Sequence, residues 1–295
     1  MSSQHLAPSL LGAFKIFMLD AQARGFSPAT LEHYRYRLSK FIGWLLEQGL
    51  TELGELNSAH TREYLTWRQT ESISKTTLHT EARAMRAFLN FCVAEEWLDA
   101  SPMCKMPKRP TLIKAAVSVT DLRRVLKRCT VREMAIILFL LDTGLRATEL
   151  CSLDRADVDL NTTRVQVRQG KGGKDRTVYV GARAMKALLR YWAETNEPLP
   201  SEPVFKSQRG QRLTRNALGK MIRRLANAAN VPELTPHALR RTFAIYSLRA
   251  GMDLYTLARL MGHEGIDVLK QYLDLLPDDL ETAHAKYGPA DNWHL

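Results

Sequence analysis

Apolar positions in the first hundred residues recur every three or four places, and the recurrence is broken at three junctions. Leu10, Leu11, Phe14, Met18 and Ala21 form a first helical stripe that ends at Gly25. Ser27-Pro28 supplies an N-cap followed by proline at the first helical position. It opens a longer helix with Leu31, Tyr34, Leu38, Phe41 and Leu45 inward as far as Gly49. Asn57-Ser58 starts a third helix with Tyr64, Leu65 and Trp67. A fourth runs from about Ser74 to Trp97 over Leu78, Ala82, Met85, Leu89 and Cys92 or Val93. Four amphipathic helices with short loops predict a small bundle. The opposite stripe of the fourth helix holds Lys75, His79, Arg83 and Arg86. It reads either as a solvated face or, with Thr76 and Thr77, as a surface laid against DNA phosphates.

From residue 99 to 118 the pattern stops. Pro102, Pro107 and Pro110 stand among Lys105, Lys108, Arg109 and Lys114, and a segment so broken cannot continue a helix. It divides the chain into a domain of residues 1–98, a linker of 99–118 and a second domain of 119–295. The second domain opens with Thr120 as N-cap of a helix through Leu126. The run Met134–Leu141 is so apolar that it must be buried; it stops at Gly144, and a short helix restarts over Leu145–Leu150. Thr163–Arg168 and Arg176–Val180 alternate with period two around a glycine-rich tip at residues 170–175, which predicts a hairpin. Helices near Ala182–Thr195 and Thr214–Asn227 follow, with a short strand at Pro203–Phe205 between them. Thr235-Pro236 then opens a helix striped by Leu239, Phe243, Ala244 and Leu248, on which His237 and Arg240 share a face. Gly251 ends it, Asp253 caps the next, Gly262 ends that one before His263, and a further short helix presents Tyr272. The fold class is mainly α with a small antiparallel β-sheet.

Composition narrows the function. A hydrophobic fraction of 45% and a charged fraction of 25% are those of an ordinary globular chain. No apolar run approaches the roughly 18 residues of a membrane span. The N-terminus has no signal-peptide pattern, and the four cysteines are widely spaced, as expected of reduced thiols in the cytoplasm. The net charge of +11 points to a polyanionic partner. The excess is uneven: 13 basic against 11 acidic residues up to Arg109, and 29 against 20 beyond it. The hairpin tip lacks Walker A spacing, and the histidines lack a zinc-site context, so neither an ATP site nor a metal or other cofactor is expected.

Taken singly, the polar groups of the second domain have ordinary readings. Arg146 and Glu149 would form a salt bridge, Lys171 a solvated turn, and His237 and His263 ordinary histidines. Taken in order, Arg146 in Thr143–Leu150, Lys171 in a Gly-Lys-Gly hairpin, His237 and Arg240, Gly262-His263 and Tyr272 nine residues on follow one pattern. With them the chain resembles the tyrosine recombinases, the phage-integrase and Xer-like family, over nearly its whole length. The resemblance implies a helical, SAM-like core-binding domain and a catalytic domain forming a C-shaped clamp on duplex DNA. It implies that Arg146 and Arg240 hold the scissile phosphate and Tyr272 attacks it, giving a 3′-phosphotyrosyl link. Lys171 would protonate the leaving 5′-oxygen, His237 would assist proton transfer, His263 would hydrogen-bond the phosphate, and Glu149 would support them. Lys75, Thr77, His79, Arg83, Arg86 and Arg241 are the expected DNA contacts. Four protomers, of this chain alone or with a paralogous recombinase, would exchange strands through a Holliday junction without ATP or metal.

The alternatives with related chemistry are a type IB-like topoisomerase and a telomere resolvase; a non-catalytic architectural DNA-binding protein is a third. A metal-dependent nuclease would need an acidic cluster that the sequence lacks. Tyr246 and Tyr255 are expected in the core, and Tyr287 lies in the tail. The chain departs from many relatives in having Leu273-Asp274-Leu275 after the nucleophile in place of a Thr-His pair, and in starting directly with the bundle, without an arm-binding domain. The tail from Pro277, with Leu280 and Ala283 on one side, either covers its own domain or, as the resemblance implies, docks into a neighbouring protomer. The target site, and the choice among dimer resolution, integration, excision and inversion, stay open.

Overall fold

The computed structural model describes residues 8–108, 115–168 and 175–263, together with 265, 266, 269 and 272. Lys171 and the hairpin tip, Arg109, Pro110 and Lys114 of the linker, most of the short helix before Tyr272, and the tail with Leu280, Ala283 and Tyr287 lie outside the described residues. The chain divides into two compact units, residues 1–112 and 113–295.

The first unit contains α1 (Leu10–Ala23), α2 (Pro28–Glu47), α3 (Ser58–Thr70) and α4 (Lys75–Ala94). Each helix begins on a side-chain oxygen that accepts a first-turn amide: Ser9, Ser27, Asn57 and Ser74. Phe17, Leu38, Phe41, Tyr64, Phe88 and Leu89 fill the core. The phase of α1 differs from the predicted stripe. Leu10, Ala13, Phe17 and Ala21 are buried, whereas Leu11 is 47% exposed and Ile16 and Leu19 also face outward. A helix apolar on several faces does not reveal from period alone which face turns inward. Trp67 is likewise partly exposed, with its ring stacked on Trp44. Two buried charges join α3 to α4: Arg68 donates from Nε and Nη2 to Glu81 at 2.8 and 2.9 Å. The first part of the 99–118 segment packs on this unit. Thr61 Oγ1 donates to Pro102 O at 2.9 Å, and Met103, Cys104 and Met106 cover the core.

The second unit contains α5 (Val119–Leu126), α6 (Val131–Thr143), α7 (Ala147–Ser152), β1 (Arg164–Val167), β2 (Arg176–Tyr179), α8 (Ala182–Thr195), α9 (Arg215–Ala229), α10 (Pro236–Arg249) and α11 (Leu254–Met261). The cap of α5 is Ser118, whose Oγ accepts the Asp121 amide at 3.0 Å; Thr120 lies inside the helix. The strands pair antiparallel, with Val165 opposite Val178 and Val167 opposite Arg176. The segment Pro203–Phe205 is not a strand. Pro203 makes an isolated bridge to Asp154, while Val204 N reaches Leu153 O and Phe205 O accepts from Leu213 N, so no continuous ladder forms. Ile136, Ile137, Phe139 and Leu140 of α6 form the spine of the main core.

A smaller core joins α10 to α11 through Ala244, Ile245, Leu248, Leu257, Ala258 and Met261, and it includes Leu269 and Tyr272. Tyr255 corrects an expectation. It is 71% exposed on the first turn of α11, where the helix turns it away from this core, and Tyr246 is half-buried. Among the described residues no helix is long and apolar enough to cross a membrane.

Candidate active site

Three backbone turns build the site. Helix α6 ends at Gly144 in the left-handed conformation (φ 62°), where a Cβ would lie 2.3 Å from the Phe243 ring of α10. Arg146 follows as the N-cap of α7, and Glu149 folds back to accept the Arg146 amide at 2.7 Å. At the far side, α11 ends at Gly262, also left-handed (φ 63°), with the His263 amide donating back to Ala258 O at 3.0 Å.

Three arginines converge on these turns. Arg176 Nε donates to Leu260 O at 2.8 Å, Arg240 Nη2 to Met261 O at 2.6 Å, and Arg146 Nη2 to Gly262 O at 3.0 Å. Three consecutive carbonyls at the C-terminal end of α11 thus each hold one guanidinium. These are the carbonyls left without helical partners, at the negative end of the helix dipole. Glu149 ties the same arginines from the other side. It accepts Arg146 Nη1 at 2.7 Å and Arg176 Nη1 and Nη2 at 2.8 Å each, and lies 3.9 Å from Arg240 Nη1.

Among the described residues one carboxylate faces three guanidiniums, which leaves this cluster positive. Burial alone would raise the Glu149 carboxyl, but hydrogen bonds from Arg176 and the Arg146 amide outweigh it and hold the group at about 2. Arg240 is 5% exposed; burial, followed by the charge of Arg146, pushes it down to about 10. A cation made less comfortable by other cations is a site prepared for an anion. The Arg240 guanidinium is a pure donor, and its Nη2 lies 3.1 Å from His263 Nε2, which is placed to accept from it.

Tyr272 is 6% exposed, as part of the α10–α11 core. Burial raises its phenol above the ordinary value, opposed by the charges of Arg241 and Arg240. The structure therefore brings together Arg146, Glu149, Arg240, His263 and Tyr272. His237 is exposed on the first turn of α10, on the face it shares with Arg240. Lys171 is outside the described residues.

The expected DNA contacts are more varied. Lys75, Arg83 and Arg86 are exposed on α4, and the two arginines line a groove of about 580 Å³ with His33 and Asn90. Thr77 is occupied at the helix start, its hydroxyl 2.9 Å from Ser74 Oγ, and His79 Nδ1 is 2.9 Å from Pro107 O. Arg241 is buried and donates from Nε to Ala115 O at 2.9 Å, beside the Thr242 hydroxyl that accepts from Val117 N. It braces the segment by which the chain enters this unit and is not presented on an outer face. Sequence reasoning missed Arg176, because an arginine opening a hairpin strand looks no different from Arg164 or Arg168 on its partner. Among the described residues no group of His, Cys, Asp and Glu is placed to hold a metal ion.

Residues 115–278 match the phage integrase family, and residues 18–96 match the phage integrase N-terminal SAM-like domain. The chain belongs to the phage integrase family and is a tyrosine site-specific recombinase. It is 30% identical over 280 residues to tyrosine recombinase XerD of Shewanella oneidensis, covering 90% of this chain and 93% of that one. The crystal structure of XerA recombinase superposes with a TM-score of 0.53 at 26% identity, covering 94% of this chain and 98% of that chain. A lambda integrase tetramer bound to a Holliday junction shares the fold, with a TM-score of 0.73 at 15% identity over 90% of this chain and 77% of that chain.

Proposed function

We propose that this chain exchanges DNA strands at specific sites through a covalent 3′-phosphotyrosyl intermediate and a Holliday junction. The observation that carries this reading is the surplus of guanidinium around a single carboxylate, next to a tyrosine. Tyr272 Oη attacks the scissile phosphorus in line, its proton passing away with the help of His237. The bond from phosphorus to the 5′-oxygen breaks, and Lys171 protonates the departing oxygen. Arg146 and Arg240 offset the charge that gathers on the non-bridging oxygens, and His263 hydrogen-bonds one of them. Attack by the 5′-hydroxyl of a second duplex reverses the step and releases the tyrosine. The phosphodiester energy stays in the protein–DNA link, so the chemistry uses neither ATP nor metal.

The incoming anion draws the arginines, and the nucleophile must leave its apolar packing to meet it. On this reading Lys75, Arg83 and Arg86 of α4 contact the DNA backbone in the residue 1–98 domain. Four protomers act together in the cytoplasm, as the lambda integrase tetramer on its junction suggests for this chain. A paralogous recombinase supplying half of them is the variant form of the same assembly.

Covalent trapping tests the reading. Wild type and Tyr272→Phe are incubated in EDTA with nicked genomic fragments, and denatured DNA–protein adducts are isolated and sequenced. Adducts with wild type alone are expected, at one recurring site. Adducts with the phenylalanine variant would remove Tyr272 from its role. Binding without adducts for both proteins would favour an architectural function, and relaxed or hairpin products would favour a topoisomerase or resolvase.

A further inference from the structure

The three arginines of the cluster are not equivalent. Arg146 and Arg240 belong to the motif pattern, whereas Arg176 does not, yet all three of its guanidinium nitrogens are engaged. Both of its terminal nitrogens grip Glu149 at 2.8 Å, and its Nε grips Leu260 O at 2.8 Å. Gly262 lies against it so closely that a Cβ there would stand 2.9 Å from Nη1. The side chain is about one-tenth exposed. Arg176 therefore joins β2, the start of α7 and the end of α11 through one planar group.

We propose that Arg176 is a positioning residue for strand cleavage, clamping Glu149 to the α11 terminus so that Arg146 and His263 meet the scissile phosphate in one fixed arrangement. Glu149 is the only carboxylate among the described residues that pairs with Arg146. If Arg176 were gone, that carboxylate could swing fully onto Arg146 and compete with the phosphate for its donors. With both Glu149 oxygens held in a bidentate fork, the hold on Arg146 is shared and its geometry is set. The carbonyl of Gly262 fixes Arg146 at 3.0 Å from the same turn that Arg176 braces, so loss of the brace moves both supports of Arg146 at once. The inference rests on the recombinase reading above and deepens it.

The test is single-turnover cleavage by the full chain. The substrate is a nicked duplex built around the trapped site, with either a phosphodiester or a neutral methylphosphonate at the scissile position. Arg176→Gln is expected to slow phosphodiester cleavage about 10²-fold, the scale of an ångström-sized misplacement. DNA affinity should stay within about twofold, since the group is not presented to the duplex. The deficit should shrink to less than about tenfold on the methylphosphonate, where there is less charge for a misplaced Arg146 to offset. Arg176→Lys, which keeps the charge but not the fork, should fall between wild type and the glutamine variant and serves if that variant does not fold. Wild-type cleavage by either variant, or an equal deficit on both substrates, would overturn the positioning role. An inert wild type, or an active Tyr272→Phe, would instead overturn the recombinase reading beneath it.

Discussion

Each unit of this protein buries an arginine in a two-pronged grip on a glutamate, and the two pairs do opposite things. Arg68 and Glu81 in the first unit are almost fully buried, and hydrogen bonding to Glu81 raises the Arg68 guanidinium above its ordinary value. Glu71 adds a half-exposed carboxylate 3.4 Å from the same guanidinium, so no positive charge is left over and the pair is a closed lock between α3 and α4. Arg176 and Glu149 in the second unit share the geometry, but Arg146 and Arg240 crowd the same carboxylate, and Arg240 is pushed down to about 10. Charge there is left over. Burial of an ion pair does not by itself point to a functional site; positive charge left over around it does.

Substitution should split the two clusters cleanly. The largest effect is expected from Arg146→Ala, which should cut single-turnover cleavage about 10²–10³-fold, with little change in the unfolding midpoint. Arg68→Ala should do the reverse. It strands Glu81 in the interior and should destabilise the first unit by about 3–5 kcal/mol in a denaturant titration. The cleavage rate of the folded protein should hold. If both variants lost stability equally, the contrast between lock and site would fail.

The next effect is in pH. The Glu149 carboxyl sits at about 2 in the folded chain against an ordinary value of 4.5. Its contribution, on the order of 3 kcal/mol, is fully present above pH 4.5 and is lost as pH falls through about 2. A Glu149→Gln variant should therefore show a flatter acid limb between these values when stability is measured against pH, and an unchanged limb would place the acid sensitivity elsewhere. Gly262→Ala should come next. A side chain at φ 63° that presses on Arg176 is expected to lose about 1–2 kcal/mol of stability, together with cleavage activity. Smallest are Arg83→Ala and Arg86→Ala on the exposed face of α4. Each should leave stability within about 0.5 kcal/mol and lower the salt dependence of DNA binding by roughly one phosphate contact. A salt slope unchanged in both would return that face to plain solvation.

The contrast also explains what could be read in advance. The helices of the first unit were legible because Ser27-Pro28, Asn57 and Ser74 announce their starts, and Leu38, Phe41 and Leu89 keep a clean period. The phase of α1 was not legible, because Leu11, Ile16 and Leu19 give it apolar residues on its outer faces as well. In the second unit Arg146, Glu149, Arg240, His263 and Tyr272 were legible as an ordered set, and the structure gathers them. The roles of Arg176 and Arg241 were not. Both partner backbone carbonyls distant in sequence, Leu260 and Ala115, and no local pattern encodes which carbonyl an arginine will find. Tyr255 was misread because an aromatic on an apolar helix resembles a core residue until the packing direction is known.

By itself, then, the sequence determined the order of the helices, the glycine turns at Gly144 and Gly262 and the ordered set of polar groups that the proposed phosphate chemistry uses. These follow from local rules of capping, periodicity and side-chain chemistry. Only the tertiary structure decided that three arginines would share one glutamate and take three successive carbonyls of a helix end, that Arg241 would face inward, and that Tyr272 would rest in apolar packing. Those outcomes depend on distances between segments tens of residues apart, which are set by how the cores close and not by any neighbour along the chain.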